Sequence, residues 1–515
     1  MAALVETLAD HQAPKLTGLL ALVCILVVGY PASRVIYNLF FHPLRRYPGP
    51  KLWAATSIPA GLNIWTGKPH KNLLEIHKKY GNIVRIAPDE LSLTHPDSWK
   101  EIQGHVKQGQ PENGKDPKIY DTNRDASLVS APRDRHGPMR RTLAAAFSAR
   151  AMTAQQPLIN GFIDLFMHRL REKGESGASL NMTKWYEWAT FDIIGNLALG
   201  ESFECLQRSG SHPYVDNILN SLKVLPLNQA LHYFPIPAAL RDPLFLLLAP
   251  KEVLNGEALI TNYSKAALKK RMSLGSERPD FVDAMLQKGG EYVRCHSSLS
   301  PSDGFWEMID NIRLLTSAGA ETTGTTLVTA TYFLCSHPEV MKKLNTEVRS
   351  AFTSEDEIDI NSVQNLIFLP AVISETMRLH PAAPAAFQRM TPPGGSVVFG
   401  EHMREGTTLG IWQWVAYHDP ANFLYPDSFI PDRWLNDRRF DNDKKEVFQP
   451  FSYGPRNCIG MNLAFVELRL ILARVIFNFD MELAPESRGW ADDQELFSFW
   501  NKPALNVYFR PRKME

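Results

Sequence analysis

A single cysteine stands in a loop punctuated by glycine and proline, Phe451-Ser452-Tyr453-Gly454-Pro455-Arg456-Asn457-Cys458-Ile459-Gly460. Downstream, Leu463, Val466, Leu470, Ala473 and Phe477 recur at helical spacing, the apolar stripe of an amphipathic helix. Cys458 therefore stands at a helix N-terminus, where unpaired N–H groups and the helix dipole favour thiolate over thiol. Such a sulfur is a nucleophile or a metal ligand; the bland alternative is a small core residue in a tight turn. A second reactive stretch, Ala318-Gly319-Ala320-Glu321-Thr322-Thr323, lies inside the long apolar run from Phe305 to Leu334. Glu321 is the only formal charge between Arg313 and Glu339. A carboxylate in a helix that must be buried nearly all round is costly, which points to function or to connected water. Thr322 can donate its hydroxyl to the Ala318 carbonyl and Gly319 weakens the same turn, so a local distortion is expected. The alternative there is a Thr-rich helix that only packs.

Three further sets carry charge at suggestive spacing. Glu375 and Arg378, in Ser-Glu-Thr-Met-Arg-Leu-His-Pro, can pair across one helical turn, by itself a weak signal. His136 and Arg140 are four apart on a helix and can face one anion. Arg389 follows a short apolar segment, Ala382 to Phe387.

These residues need a scaffold, and composition allows a large one: 515 residues, 44% hydrophobic. The 55 basic and 55 acidic residues balance, which argues against nucleic acid as a partner. The five cysteines are scattered without a C-x-x-C pair, excluding a disulfide framework and a multi-cysteine zinc site. Helices are expected over Arg140 to Phe147, Lys184 to Leu199, Phe305 to Leu334, Glu339 to Phe352 and Leu366 to Leu379, the fourth capped by Ser336 with Glu339. Asn82 to His95 reads as a hairpin, and strand signals return between Ser396 and Ile411. With no repeat and no low-complexity tract, one mainly α domain with small β-sheets is the economical reading. Leu16 to Ser33 has no charge and approaches the length of a bilayer span. It is long for a signal-peptide core and lacks a clear cleavage site, so a retained anchor is expected. Arg34, Arg45, Arg46 and Lys51 follow it, which puts the rest of the chain on the cytosolic side. The expected organisation is a short non-cytosolic segment at 1–15, a transmembrane anchor at 16–33, a stiff Pro-rich hinge at 34–52 and a catalytic domain at 53–515.

Phe451, Gly454, Arg456, Cys458 and Gly460 spell F-x-x-G-x-R-x-C-x-G, which resembles the haem-binding loop of the cytochrome P-450 family at every fixed position. The resemblance implies that Cys458 gives an axial thiolate to the iron of heme b (iron protoporphyrin IX), that Arg456 pairs with a propionate, and that the glycines let backbone approach the flat cofactor. Ala318 to Thr323 is similar to the family's oxygen-binding helix. Thr322 and Glu321 then become the catalytic pair, Thr322 ordering hydrogen bonds around the reacting oxygen and Glu321 connecting them to bulk protons. Phe429-Ile430-Pro431-Asp432-Arg433-Trp434 resembles the later F-x-P-x-R motif, which joins Arg433 to Glu375 and Arg378 in a structural network holding the cysteine loop. Arg140, His136 and Arg389 match propionate partners, although the family often has Trp where His136 stands. The resemblance covers nearly the whole chain, in the family's order. Its texture is closest to membrane-bound fungal members of secondary metabolism.

What this implies is the cytochrome P-450 fold, with haem between the oxygen-binding helix and the cysteine-loop helix, behind one transmembrane helix in the endoplasmic reticulum membrane. The expected activity is monooxygenation of a hydrophobic small molecule, by hydroxylation or epoxidation. No flavin or nicotinamide fingerprint follows a strand, so electrons are expected from NADPH-cytochrome P-450 reductase, with cytochrome b5 as a further candidate. Two rivals stand beside this. A haem-thiolate isomerase or dehydratase of a pre-oxygenated substrate often lacks the acid–alcohol pair, and a non-enzymatic membrane haem carrier or sensor needs no proton relay. Leu314, Leu315, Ala318 and Ala382 to Phe387 suggest an apolar substrate pocket. Val224 to Leu240 and Pro243 to Pro250 are uncharged and read either as a second membrane contact or as core helices capping that pocket.

Overall fold

The helical periodicities converge on one long element. In the computed structural model, which describes residues 28–512 apart from 108, 121–126, 276–277, 288–300, 386 and 493, a helix over Pro301–Ser336 runs through the interior. It packs most extensively on the helix Met182–Leu199, and also on Phe368–Leu379 and Met461–Asn478. Met182–Leu199 buries nearly every side chain, the mark of a helix enclosed by others. Its ends follow simple rules: the Asn181 side chain accepts from Lys184 N–H at 3.4 Å, and Gly200 closes it at φ 78. The cysteine-loop helix Met461–Asn478 is likewise buried through its second half.

The strands are short and stand to one side. A five-stranded sheet has the order Ile83–Ala87, Glu90–Leu93, Thr408–Gly410, Arg389–Met390, Gly114–Lys115. The first two form the expected hairpin, with an irregularity between Arg85 and Ala87. Glu90–Leu93 pairs in parallel with Thr408–Gly410, while the two outer pairings are antiparallel. Side chains alternate across a strand, so this sheet turns Arg389 and Met390 to opposite sides. Between the expected limits Ser396 and Ile411 there are three strands, Ser396–Val398, Glu401–Met403 and Thr408–Gly410. The fold is thus mainly α with small sheets.

Some expectations are corrected. Ser336 does not cap the following helix, because it still belongs to the preceding one; the cap position is His337, with no side-chain bond, and Pro338 opens Pro338–Ala351. The central helix stays continuous past Thr322: the threonine back-bond forms without breaking the ladder. The expected hinge at 34–52 is largely ordered, with a helix over Tyr30–Phe40, a 3-10 turn over Pro43–Arg46 and a helix beginning at Lys51. Pro43 and Pro50 sit at helix starts, where a missing N–H costs nothing, and the Pro48 carbonyl accepts from Arg85 N–H at 2.8 Å. The expected anchor lies outside the described residues as far as Val27. Among the described residues no helix is long and apolar enough to cross a membrane.

The two uncharged runs separate. Leu225–Tyr233 buries Leu227, Ala230, Leu231 and Tyr233, whereas the helix Ala238–Leu248 buries none of its residues. The first caps the body; the second does not.

Candidate functional site

The cysteine loop has little regular structure and is held by specific bonds. Cys458 N–H donates to the Phe451 carbonyl at 2.7 Å, closing the loop on itself. Gly454 adopts φ +76, and a Cβ there would fall 1.9 Å from the Gln103 carbonyl oxygen. Glycine is required at this position because another backbone presses on it. Helix Met461–Asn478 begins with Gly460 as its cap, so the sulfur lies just ahead of the helix. Arg140 reaches the same loop from helix Arg133–Ala144, donating to the Asn457 carbonyl at 2.6 Å and to its side-chain oxygen. Cys458 is itself exposed; the protein packed around the loop pushes its thiol up, while a Gly460 N–H and the Arg140 charge pull it down. A metal cation at the sulfur would favour the thiolate.

Beside the loop the structure gathers cations. Arg456 donates to Glu112 Oε1 at 2.7 and 3.0 Å and to the Ala131 carbonyl at 2.8 Å. Arg389 donates at 3.3 Å to Gln103 Oε1, and its Nε and Nη1 are buried without a partner. Lys115 is held well below the lysine range by burial and by Arg389 and Arg456. His136 is pushed down to about 3, by burial first and then by Arg456 and Arg140, so it is a neutral imidazole. The buried Tyr120 hydroxyl also lacks a partner. Buried donors of positive charge with unfilled valence call for an anion. Lys115 and Tyr120 were not foreseen, since nothing in Gly-Lys-Asp-Pro-Lys-Ile-Tyr marks Lys115 as a strand residue paired with Arg389.

On the central helix, the Thr322 hydroxyl donates to the Ala318 carbonyl at 2.7 Å as expected. Ala318 is exposed while Leu315, Thr316 and Ala320 are buried, so the helix has an accessible side at this turn. Glu321 points elsewhere: it forms an ion pair with Lys502 and accepts from Thr325 Oγ1 at 3.3 Å. That partner comes from the far end of the chain and no motif announced it. Among the described residues no three His, Cys, Asp or Glu side chains converge as a metal site, so a metal at Cys458 needs a ligand frame of its own. One thiol, a group of anion-seeking donors and an open helix face together fit an iron macrocycle with two carboxylates. Those residues fit heme b.

Farther out, Glu375 and Arg378 form a bidentate pair at 2.9 and 2.9 Å, and Arg433 Nε approaches Glu375 at 3.4 Å, all with side chains 0% exposed. Arg433 also pairs with Asp443, and Trp434 Nε1 donates to Glu375 at 2.9 Å; neither Asp443 nor the Trp434 contact was expected. Arg378 donates to the Pro426 and Ser428 carbonyls at 2.6 and 3.0 Å, tying irregular backbone upstream of the cysteine loop to the helix.

A family model described as cytochrome P-450 matches residues 48–508. The chain is 42% identical over 487 residues to a trichothecene C-15 hydroxylase of Fusarium sporotrichioides, covering 94% of this chain and 96% of that one. It is 40% identical to an averantin hydroxylase of Dothistroma septosporum, covering 94% and 90%, and 39% identical to a monooxygenase of Talaromyces stipitatus, covering 95% and 94%.

Substituting Glu375→Gln leaves Arg378 buried without its counter-charge, which costs about 3–5 kcal/mol. Denaturant unfolding of the variant should show that loss together with weakened haem retention. Wild-type stability would contradict the structural role given to this network.

Proposed function

The chain belongs to the cytochrome P-450 family of haem-thiolate monooxygenases, and from that premise we propose that it hydroxylates a hydrophobic small molecule in a tailoring step of secondary metabolism. When bound, heme b supplies the activation of dioxygen through which one oxygen atom enters an unactivated C–H bond. The remaining work belongs to the protein's own side chains. Cys458 is the thiolate ligand. Arg389, Arg456, His136, Lys115 and Tyr120 hold the cofactor's carboxylates, and Arg140 acts one step removed, fixing the cysteine loop through Asn457. Thr322 presents its hydroxyl on the accessible side of the central helix and orders the hydrogen bonds there. Glu321, adjacent in sequence but turned to Lys502, takes protons inward from solvent.

The observation that carries this reading is the acid–alcohol pair in the middle of a largely buried helix, Thr322 on its accessible side and Glu321 next to it, turned to Lys502. A haem-thiolate isomerase or dehydratase has no use for such a relay. The relatives named as hydroxylases support hydroxylation, and the substrates in their names, a trichothecene and averantin, support a natural product of comparable kind.

The electron donor in this reading is a separate NADPH-dependent reductase, and the enzyme sits on the endoplasmic reticulum membrane with its catalytic domain in the cytosol. The uncharged Leu16 to Ser33 and the arginines after it support the anchor. Helix Ala238–Leu248 supports a second contact, with Leu247 79% exposed beside exposed Leu240, Leu246 and Leu248. Leu62 and Trp65, on the helix packed against its neighbour Leu225–Tyr233, are exposed as well. Near this face lies a small cavity lined by Trp53, Ile64, Leu73 and Ile86 together with the polar Asn63, Glu90 and Gln388.

Thr322→Ala should retain haem yet divert reducing equivalents to peroxide, and Glu321→Gln should slow turnover, both measured as product formed per NADPH. Unaltered coupling in both variants would favour the isomerase reading. For the membrane, a chain beginning at Arg45 should stay partly with vesicles, and Leu246→Glu with Leu247→Glu should release it with haem intact. Full solubility of the truncated chain would refute the second contact.

A further inference from the structure

The charges around Glu321 do not end with Lys502. On the neighbouring helix Met182–Leu199, Glu187 is buried and pairs with Lys184 at 2.9 Å, and Lys184 is itself 41% exposed. Gly324 brings the two helices together: a Cβ there would meet Thr190 Oγ1 at 3.3 Å and the Glu187 backbone at 3.8 Å. Lys502 is fixed in this crossing by its own backbone neighbours. Thr183 Oγ1 donates to the Pro503 carbonyl at 2.8 Å, Leu505 N–H donates to Thr183 Oγ1 at 3.2 Å, and Trp490 Nε1 donates to Pro503 at 3.0 Å. Lys502 Nζ also donates to Thr325 Oγ1 at 2.8 Å, so Lys502, Glu321 and Thr325 form a closed triangle. The chain therefore holds two carboxylates and a buried ammonium at one helix crossing, opening to solvent through Lys184.

We infer that Lys502 is a positioning residue for the proton route, holding Glu321 in register with Glu187, and that Glu187 is the carboxylate through which protons reach Glu321 from the Lys184 side. This deepens the relay reading above and rests on it. The step is a proton transfer only: the Glu187 carboxylic acid releases a proton that passes through water in the crossing to the Glu321 carboxylate, and Glu187 is reprotonated from solvent while Lys502 keeps its charge. The groups that face Glu187 are Lys184, Glu321 and Lys502; from the end of Phe368–Leu379, His380 also feels Lys502 but is kept neutral mainly by burial. Burial lifts Glu187 above the ordinary carboxylate range, opposed by Lys184 and Lys502 and helped by Glu321. It thereby holds a proton more readily than an exposed carboxylate does. An exposed carboxylate would be ionised and an isolated buried one permanently neutral.

Two readouts on the full-length protein test this. The first needs no turnover: in infrared titration, Lys502→Met should move the carboxylic-acid stretch of Glu187 to higher pH than in the wild type, because a cation that lowers it is gone, and Glu187→Gln should delete that band. The second uses the haem-loaded enzyme with reductase. Lys502→Met and Glu187→Gln should each lower kcat about tenfold or more, at the low end of general-acid contributions, with KM unchanged and a larger solvent isotope effect, and Lys502→Arg should restore most of the rate. Where Lys502→Met fails to fold, Lys502→Arg and Glu187→Gln carry the test. An unmoved infrared band, or a moved band with unchanged kcat in Glu187→Gln, overturns the proposal. If Glu321→Gln itself leaves turnover intact, the relay reading has failed and this proposal falls with it.

Discussion

The structure turns on holding one sulfur still in a stretch of chain that has almost no secondary structure to hold it. Helices and sheets fix their own backbones; the segment from Phe451 to Gly460 cannot. Its geometry comes from outside: the Phe451 carbonyl on Cys458 N–H, the Gln103 backbone against Gly454, and Arg140 on Asn457. Behind these stands the buried network of Glu375, Arg378, Arg433 and Asp443, which ties the irregular chain leading to the loop onto Phe368–Leu379. Buried ion pairs are weak stabilisers on balance but specific ones. Here that specificity falls where hydrophobic packing alone would leave a loop free to choose.

The same constraint explains the division of labour among the cations. Arginine is the residue for rigid, planar recognition, and this site uses it in two ways. Arg140 and Arg378 fix backbone carbonyls, whereas Arg389, with buried unfilled donors, is available to an anion. Arg456 stands between, already answered in part by Glu112. On the opposite side of the site, Thr322 and Glu321 face different surroundings although they are consecutive. Helical geometry turns neighbouring side chains by about 100°, which is enough to put the hydroxyl on the accessible side and the carboxylate toward Lys502.

Much of this was legible in the residues. The cysteine loop, the lone charge in an apolar helix and the long helices themselves all follow from local pattern, because their signals are short-range. What was not legible is what depends on distant chain segments meeting. Lys502 lies far from Glu321 in sequence, Asp443 from Glu375, and Lys115 from Arg389; no spacing rule connects them. The Gln103 backbone that presses on Gly454 belongs with these, since it too lies far away in sequence. Ser336 lost its expected capping role to a proline, a local effect that outranked another local effect. Val224 to Leu240 and Pro243 to Pro250 look alike in composition and part only in the fold, one helix packed and the next largely exposed, with Leu244 and Phe245 partly covered.

The central claim is that Cys458 ligates haem iron as a thiolate. The most direct measurement is the absorption spectrum of the reduced, haem-loaded protein under carbon monoxide, compared with Cys458→Ser. A strongly red-shifted Soret band in the wild type that disappears in the variant is what this account predicts. The same spectrum in both proteins would contradict it.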